Sequence, residues 1–362
     1  MRQNKMVLAA LISLSALVLT GCGSGGAGNQ TTKIQFSSVV TFGDSLSDVG
    51  SYDVGAINLL GGGRYTINSM TNGAPTPSNW TELITGTLGQ TPLCAAETGL
   101  NGSAPGFSVS TQFYSNCTSY AQGGARVTNP VGPGNVLLGG SNALLGQLTV
   151  PVVMQMANHL ASHGHAFTGK EVVFVLAGGN DAIIQFTAIA NSLETPATAV
   201  TAMAQAGGEL AGYVNNLLLA NGANYVVVVN LPDLSTTPMG TQAEAAAPGS
   251  QALINTMVTT FNSQLESGLG NSSKVLYVDA HSISADQVRN PATYGLTNVT
   301  DTACNLSYPA NALGSSLVCN AGNVIAGDVS HYQFADLVHP TPYGNLLLAR
   351  YVASQMAIKG WL

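Results

Sequence analysis

The chain has 362 residues, only 7% of them charged, and a formal net charge of −7. An average soluble domain carries about 25% charged residues, so this surface has to be built from Ser, Thr, Asn, Gln and the 42 glycines. The acidic balance, with no cluster of Lys or Arg, excludes a phosphate-backbone partner, because nucleic-acid binding rests on clustered cations.

The first element is an export signal. Arg2 and Lys5 precede an almost uninterrupted apolar run from Met6 to Leu19, which has the length of a signal-peptide core and falls short of the roughly 20 residues a spanning helix needs. Residues 1–21 are therefore expected to be a signal peptide. Leu19-Thr20-Gly21-Cys22 resembles the bacterial lipobox, whose cysteine is diacylated and becomes the mature N-terminus; an ordinary cleaved signal that happens to hold a cysteine is the alternative. The glycine-rich residues 22–34 read as a flexible tether. Lipidation at Cys22 makes the membrane a partner, and Gly23 in place of Asp points to outer-membrane sorting in a Gram-negative cell, on either face. Later apolar runs are short: Tyr213 to Pro232 is broken by Asn215, Asn216, Asn221 and Asn224, so the mature chain is expected to be soluble apart from its anchor. The sequence ends within about one helix of its last motif, so a lipid, not a C-terminal barrel, is the expected anchor.

Five cysteines are an awkward number for an exported chain. Setting aside Cys22 leaves Cys94, Cys117, Cys304 and Cys319. Three pairings are open, of which sequence neighbours (94 with 117, 304 with 319) are the simplest.

Residues 35–362 show no internal repeat or linker and are expected to form one domain. Phe36 to Phe42, Glu171 to Ala177, Asn224 to Asn230 and Lys274 to Asp279 are Val- and Ile-rich runs that suit strands covered on both faces. Thr91 to Ser119 has no clear period and reads as a long disulfide-held loop. Helical patterns lie near Val152 to His163, Thr198 to Ala220, Ser250 to Leu265 and Tyr343 to Lys359. This alternation predicts an α/β domain with a parallel sheet and helices on both faces.

Four segments carry chemistry. Gly43-Asp44-Ser45-Leu46-Ser47-Asp48 follows the first strand, where open α/β sheets place their ligands. A helix starting there would favour a developing negative charge, although Asp44 or Ser45 could equally serve as its cap; Asp48 reads as structural support for the turn. Gly123-Gly124 offers a backbone amide unobstructed by a side chain. Gly178-Gly179-Asn180-Asp181 ends the second strong strand; Asn180 could donate to an oxyanion, though the run is also good turn chemistry. Near the C-terminus, Asp336 stands three residues before His339, within reach of its imidazole in one local turn.

Together, in this order, the four segments resemble the GDSL or SGNH hydrolase family, whose blocks supply Ser, Gly, Asn and His. The resemblance runs from Phe36 to Tyr351, and Asn290-Pro291-Ala292-Thr293-Tyr294-Gly295 and His339-Pro340-Thr341 look like its secreted-lipase and plant-type branch. No Gly-x-Ser-x-Gly occurs, which removes the α/β-hydrolase elbow as a rival. Ala335 departs from the pattern, since related sequences often carry tryptophan there, and this puts the local shape of the acyl site in question.

The resemblance implies a three-layer α/β/α, flavodoxin-like fold. It implies carboxylic-ester hydrolysis by Ser45, His339 and Asp336 through an acyl-enzyme. The oxyanion would be met by the amides of Ser45 and Gly124 and the Asn180 side chain, with no metal or other cofactor. The expected partner is an acyl ester, of lipid or short-chain acid. Polysaccharide or cell-wall O-acetyl esters, or a non-catalytic surface lipoprotein, are the competing readings. His159, His163 and His165 read as a solvated helix end in preference to a metal site, and Asp44, Asp48 and Asp53 lack the spacing of a calcium loop.

Overall fold

The computed structural model describes residues 34–362. The signal peptide, Cys22 and nearly all of the tether lie outside these residues. Four strands, Val39–Gly43, Val172–Leu176, Tyr225–Val229 and Val275–Val278, pair side by side and in parallel in that order. All four fall within or beside the Val-rich runs of the sequence, and the reason is visible in their burial.

Alternate side chains of each strand enter different cores. Val40, Phe42, Val173, Val175, Val226 and Val228 face one layer, with Met156, Met203, Leu210 and Phe261 from the helices Val152–Ser162, Pro196–Tyr213 and Ser250–Leu269. Val39, Val172, Phe174, Leu176, Val227 and Val229 face the other, with Trp80 and Ile84 from Trp80–Thr87 and Val352 and Met356 from Pro342–Lys359. A strand apolar on both faces has to be sandwiched, and the result is the expected three-layer α/β/α domain.

Thr-Pro marks three helix starts. Thr195, Thr237 and Thr341 each stand at an N-cap with Pro at the next position, their side chains accepting from the amides of Thr198, Gly240 and Gly344. The hydroxyl satisfies an orphan amide, and proline lacks the amide that would be orphaned. Asn79 and Glu82 form a capping box at the helix Trp80–Thr87, and Glu82 also holds Arg64 at 2.8 Å.

Two further features place the site. On its outer edge the first strand is joined by Ser119 in a parallel bridge to Thr41, whose hydroxyl donates to that of Ser119 at 2.7 Å. The chain thus crosses to one side of the first strand and then returns to the other at Val172. That reversal is the topological switch point at which open α/β sheets bind ligands, beyond the carboxyl ends of the strands.

The segment Thr91 to Ser119 is not the structureless loop its sequence suggests. It holds an antiparallel pair, Glu97–Asn101 against Ser108–Phe113, closed at its base by the Cys94–Cys117 disulfide. A register shift between Thr98 and Leu100, around Gly99, interrupts the alternation, and the second strand is mostly exposed polar residues. Neither period nor apolarity therefore marks the pair. Cys304 and Cys319 form the second disulfide, so the cysteines pair as sequence neighbours. Among the described residues, no helix is long and apolar enough to cross a membrane.

Candidate active site

Gly43 ends the first strand where only a hydrogen fits, since a Cβ would stand 2.2 Å from the Leu176 carbonyl oxygen. The chain then turns sharply. Ser47 N donates to Asp44 O at 3.0 Å and Leu46 N to Asp44 Oδ1 at 3.0 Å. No helix begins here, so the helix-dipole argument for Ser45 fails; the carboxylate of Asp44 closes a local turn instead of capping a helix. Gln155 pins the strand end from both sides, accepting from Gly43 N and donating to Gly43 O.

The turn aims Ser45 Oγ at His339, 294 residues away, with Oγ to Nε2 at 2.8 Å. On the far side of the ring, His339 Nδ1 lies 2.8 Å from both oxygens of Asp336. Asp336 is fixed in turn: Oδ1 accepts from the amides of Val338 and His339, and Oδ2 from Ser316 N at 3.0 Å. The loop itself is pinched shut, because Ala335 N donates to His339 O at 2.8 Å. Tyr65 packs its ring on the imidazole at 4.8 Å and accepts from Gln147 Nε2 at 2.6 Å.

The electrostatics follow from these contacts. Burial favours the neutral acid in Asp336, but the charge of His339 and the hydrogen bonds from His339 and Ser316 outweigh it and hold the carboxyl well below its ordinary range. Burial likewise opposes charge on His339, yet Asp336, with a smaller contribution from Asp44, raises its pKa above 6.5. Asp44 is pushed up to about 7, mainly by burial, against the hydrogen bond from Leu46 and the charge of His339.

The glycine pair stands beside the serine for steric reasons. A Cβ on Gly123 would fall 2.0 Å from the Tyr65 hydroxyl, and one on Gly124 2.2 Å from the Pro133 carbonyl oxygen; Gly124 also has φ of 77°. Asn180 lies in the first turn of the helix Gly179–Ala190, and its Nδ2 donates to Ala125 O at 2.8 Å. That bond uses one amide hydrogen and leaves the second. Among the described residues, the amides of Ser45 and Gly124 meet no protein acceptor. Ser45, Gly124, Asn180 and His339 all line one cleft of about 220 Å³. The cleft therefore gathers a hydroxyl, an imidazole backed by a carboxylate, and several hydrogen-bond donors.

Several residues that hold this arrangement escaped the sequence reading. Asp181, the last residue of the Asn180 block, pairs with Arg126 at 2.9 Å and also accepts from Val127 N, a role the sequence did not assign. Their position directly after Ala125 and Asn180 was the available signal. Tyr65 and Ser316 had none. Ala335 is wholly buried against the Cys304–Cys319 disulfide, so the space next to this small side chain is filled by the cross-link.

Other clusters resolve differently. His159 is not a solvated helix end: it is buried among Phe42, Tyr120, His163 and Phe167. Its pKa is pushed down to about 4 by burial and by His163. His165 is exposed. Asp44 and Asp48 close separate turns, and Asp53 accepts from the Asn58 side chain.

Comparison with known proteins identifies the family. The sequence model of the GDSL-like Lipase/Acylhydrolase family matches residues 39–352. A GDSL esterase/lipase of Arabidopsis thaliana is 25% identical over 86% of this chain and 85% of its own length. An uncharacterized protein of the trpE-trpG intergenic region in Pseudomonas putida is 29% identical over 88% of this chain, and the chain spans about half of that relative, 48%.

Proposed function

Because the chain belongs to the GDSL-like lipase/acylhydrolase family, we propose that it hydrolyses carboxylic esters through an acyl-enzyme on Ser45. The observation that carries this reading is the unbroken line from Ser45 Oγ through His339 to Asp336, with 2.8 Å at each link.

In this mechanism Ser45 Oγ attacks the ester carbonyl carbon as its proton passes to His339 Nε2. Asp336 stays ionised, keeps the other ring nitrogen protonated and stabilises the imidazolium. Negative charge gathers on the former carbonyl oxygen, where the Ser45 and Gly124 amides and the second Asn180 hydrogen donate to it. The intermediate collapses, His339 returns the proton to the leaving alcohol, and Ser45 keeps the acyl group. Water then attacks the acyl-enzyme with His339 again as base, releasing the acid.

We read residues 35–362 as the hydrolase domain and the chain as exported, a reading supported by its two disulfides. Lipid attachment at Cys22, after removal of residues 1–21, would then hold it on the outer membrane. Incorporation of labelled palmitate into wild type and its loss in Cys22→Ala would test the anchor.

The test of the activity is hydrolysis of p-nitrophenyl esters from acetyl to palmitoyl, comparing wild type lacking residues 1–22 with Ser45→Ala. The variant is expected to be inactive and to resist labelling by a fluorophosphonate. Full activity in Ser45→Ala would overturn the reading. Wild-type activity confined to acetyl esters would favour a deacetylase of polysaccharide or cell wall.

A further inference from the structure

A second cavity, of about 60 Å³, adjoins the reactive cleft and shares lining residues with it. Leu46, Leu234 and Val338 line both spaces, and two of them are the direct neighbours of Ser45 and His339. Beyond that wall the lining is mainly apolar, from Trp80, Ile283, Val288 and Leu348. The carboxylate on this wall, Asp233, is engaged by the amide and hydroxyl of Ser235 at 2.9 and 2.5 Å. The space therefore offers an incoming group mainly apolar surface, with the Asp233 carboxylate, held through Oδ1 by Ser235, and the Gln333 side chain among its polar lining.

We propose that this cavity takes the acyl chain of the ester, with Leu46, Leu234 and Val338 as its threshold; the inference rests on the esterase reading above. A single water needs roughly 10–15 Å³ of such space, so a cavity of about 60 Å³ admits a short, slender chain and no branched or ring-bearing group. The substrate is then an ester of a short to medium unbranched acid, the carbonyl end remaining at Ser45. At the usual value of apolar burial, each methylene that enters raises kcat/KM about fourfold.

Two experiments decide it. Ile283→Trp fills the cavity, and the ratio of kcat/KM for octanoyl over acetyl ester is expected to fall at least tenfold; an unchanged ratio overturns the proposal. Independently of turnover, 8-bromooctanoate is expected to quench Trp80 saturably, and the quenching to persist in Trp361→Phe, which leaves Trp80 as the remaining tryptophan. Absence of quenching overturns the cavity assignment even where the esters are cleaved. A wild type that cleaves no ester removes the esterase reading, and the quenching experiment then decides the cavity alone.

Discussion

The carboxylate of Asp48 accepts a hydrogen bond from the amide of Gly123 at 2.8 Å, across 75 residues of chain. The same carboxylate accepts from Gly50 N, Ser51 N and the Ser51 hydroxyl, and it is fully buried. One side chain thus joins the serine turn to the glycine loop that brings Gly124 into the cleft. The Gly123 carbonyl, in turn, accepts from the Tyr52 hydroxyl at 2.8 Å. Removing Asp48 would strand several buried amides at once.

Asp48→Ala is accordingly expected to lose about 3 kcal/mol or more of stability, since each buried donor left unpaired costs roughly 1–3 kcal/mol. Urea denaturation measures this. Ester turnover should fall in parallel, because Gly124 is no longer held beside Ser45. Asp48→Asn, which keeps one acceptor oxygen, should fall between wild type and the alanine variant. A denaturation midpoint unchanged in Asp48→Ala would show that the contact does not matter.

Asn180 gives a test with a different signature. Its side chain sits at the cleft and spends one hydrogen on Ala125 O. In the proposed mechanism the second meets charge that exists only after attack. Asn180→Ala should therefore lower kcat about 10²–10³-fold and change KM little. A large rise in KM with kcat intact would make Asn180 a substrate-binding residue instead.

The pH dependence follows from the signs of two opposed shifts. In the proposed mechanism His339 acts as base only when neutral, and its pKa is raised above 6.5 by Asp336. Activity should thus climb with pH on a limb whose midpoint lies above 6.5. The stability from the pair behaves otherwise. The contribution of His339 is complete below the unfolded value near 6.5 and is lost as pH rises through the raised one. The contribution of Asp336 is present above its unfolded value of about 3.9 and is lost as pH falls through its depressed one. Asp336→Asn should move the activity limb to lower pH and cost roughly 10⁴ in kcat. A limb left in place would mean that Asp336 does not set the imidazole.

Much of this arrangement could be read from the sequence, for identifiable reasons. The four central strands are apolar on both faces, so their pattern announces a sandwiched sheet before any coordinate is known. Two of the four site blocks, those of Ser45 and Asn180, follow strand ends of the parallel sheet, which brings them together. What sequence did not reveal are contacts that depend on side-chain shape across distant segments. Tyr65 on His339 and Ser316 on Asp336 follow from no spacing rule. The helix that could have begun at Ser45 is absent, and Asp44 accepts from Leu46 N within a local turn. His159 misled for a related reason: helical position alone did not reveal that the next layer supplies aromatic rings.

The two disulfides separate stability from catalysis. They lie 23 and 15 residues apart in sequence, and chain-entropy arguments give both a similar worth, about 3 kcal/mol. Their surroundings differ. Cys94–Cys117 closes the antiparallel pair, with residues that reach the first strand through Ser119. Cys304–Cys319 packs on Ala335 and closes the loop that carries Ser316, whose amide donates to Asp336. Replacing either pair by alanine should lower the denaturation midpoint by similar amounts. Only the Cys304→Ala/Cys319→Ala protein should also lose kcat while still folded, with its activity limb moved to lower pH as Asp336 loosens its hold on His339. Equal kcat in the two double variants would mean that the Ser316 contact persists without the cross-link, and that the loop is ordered by its other hydrogen bonds.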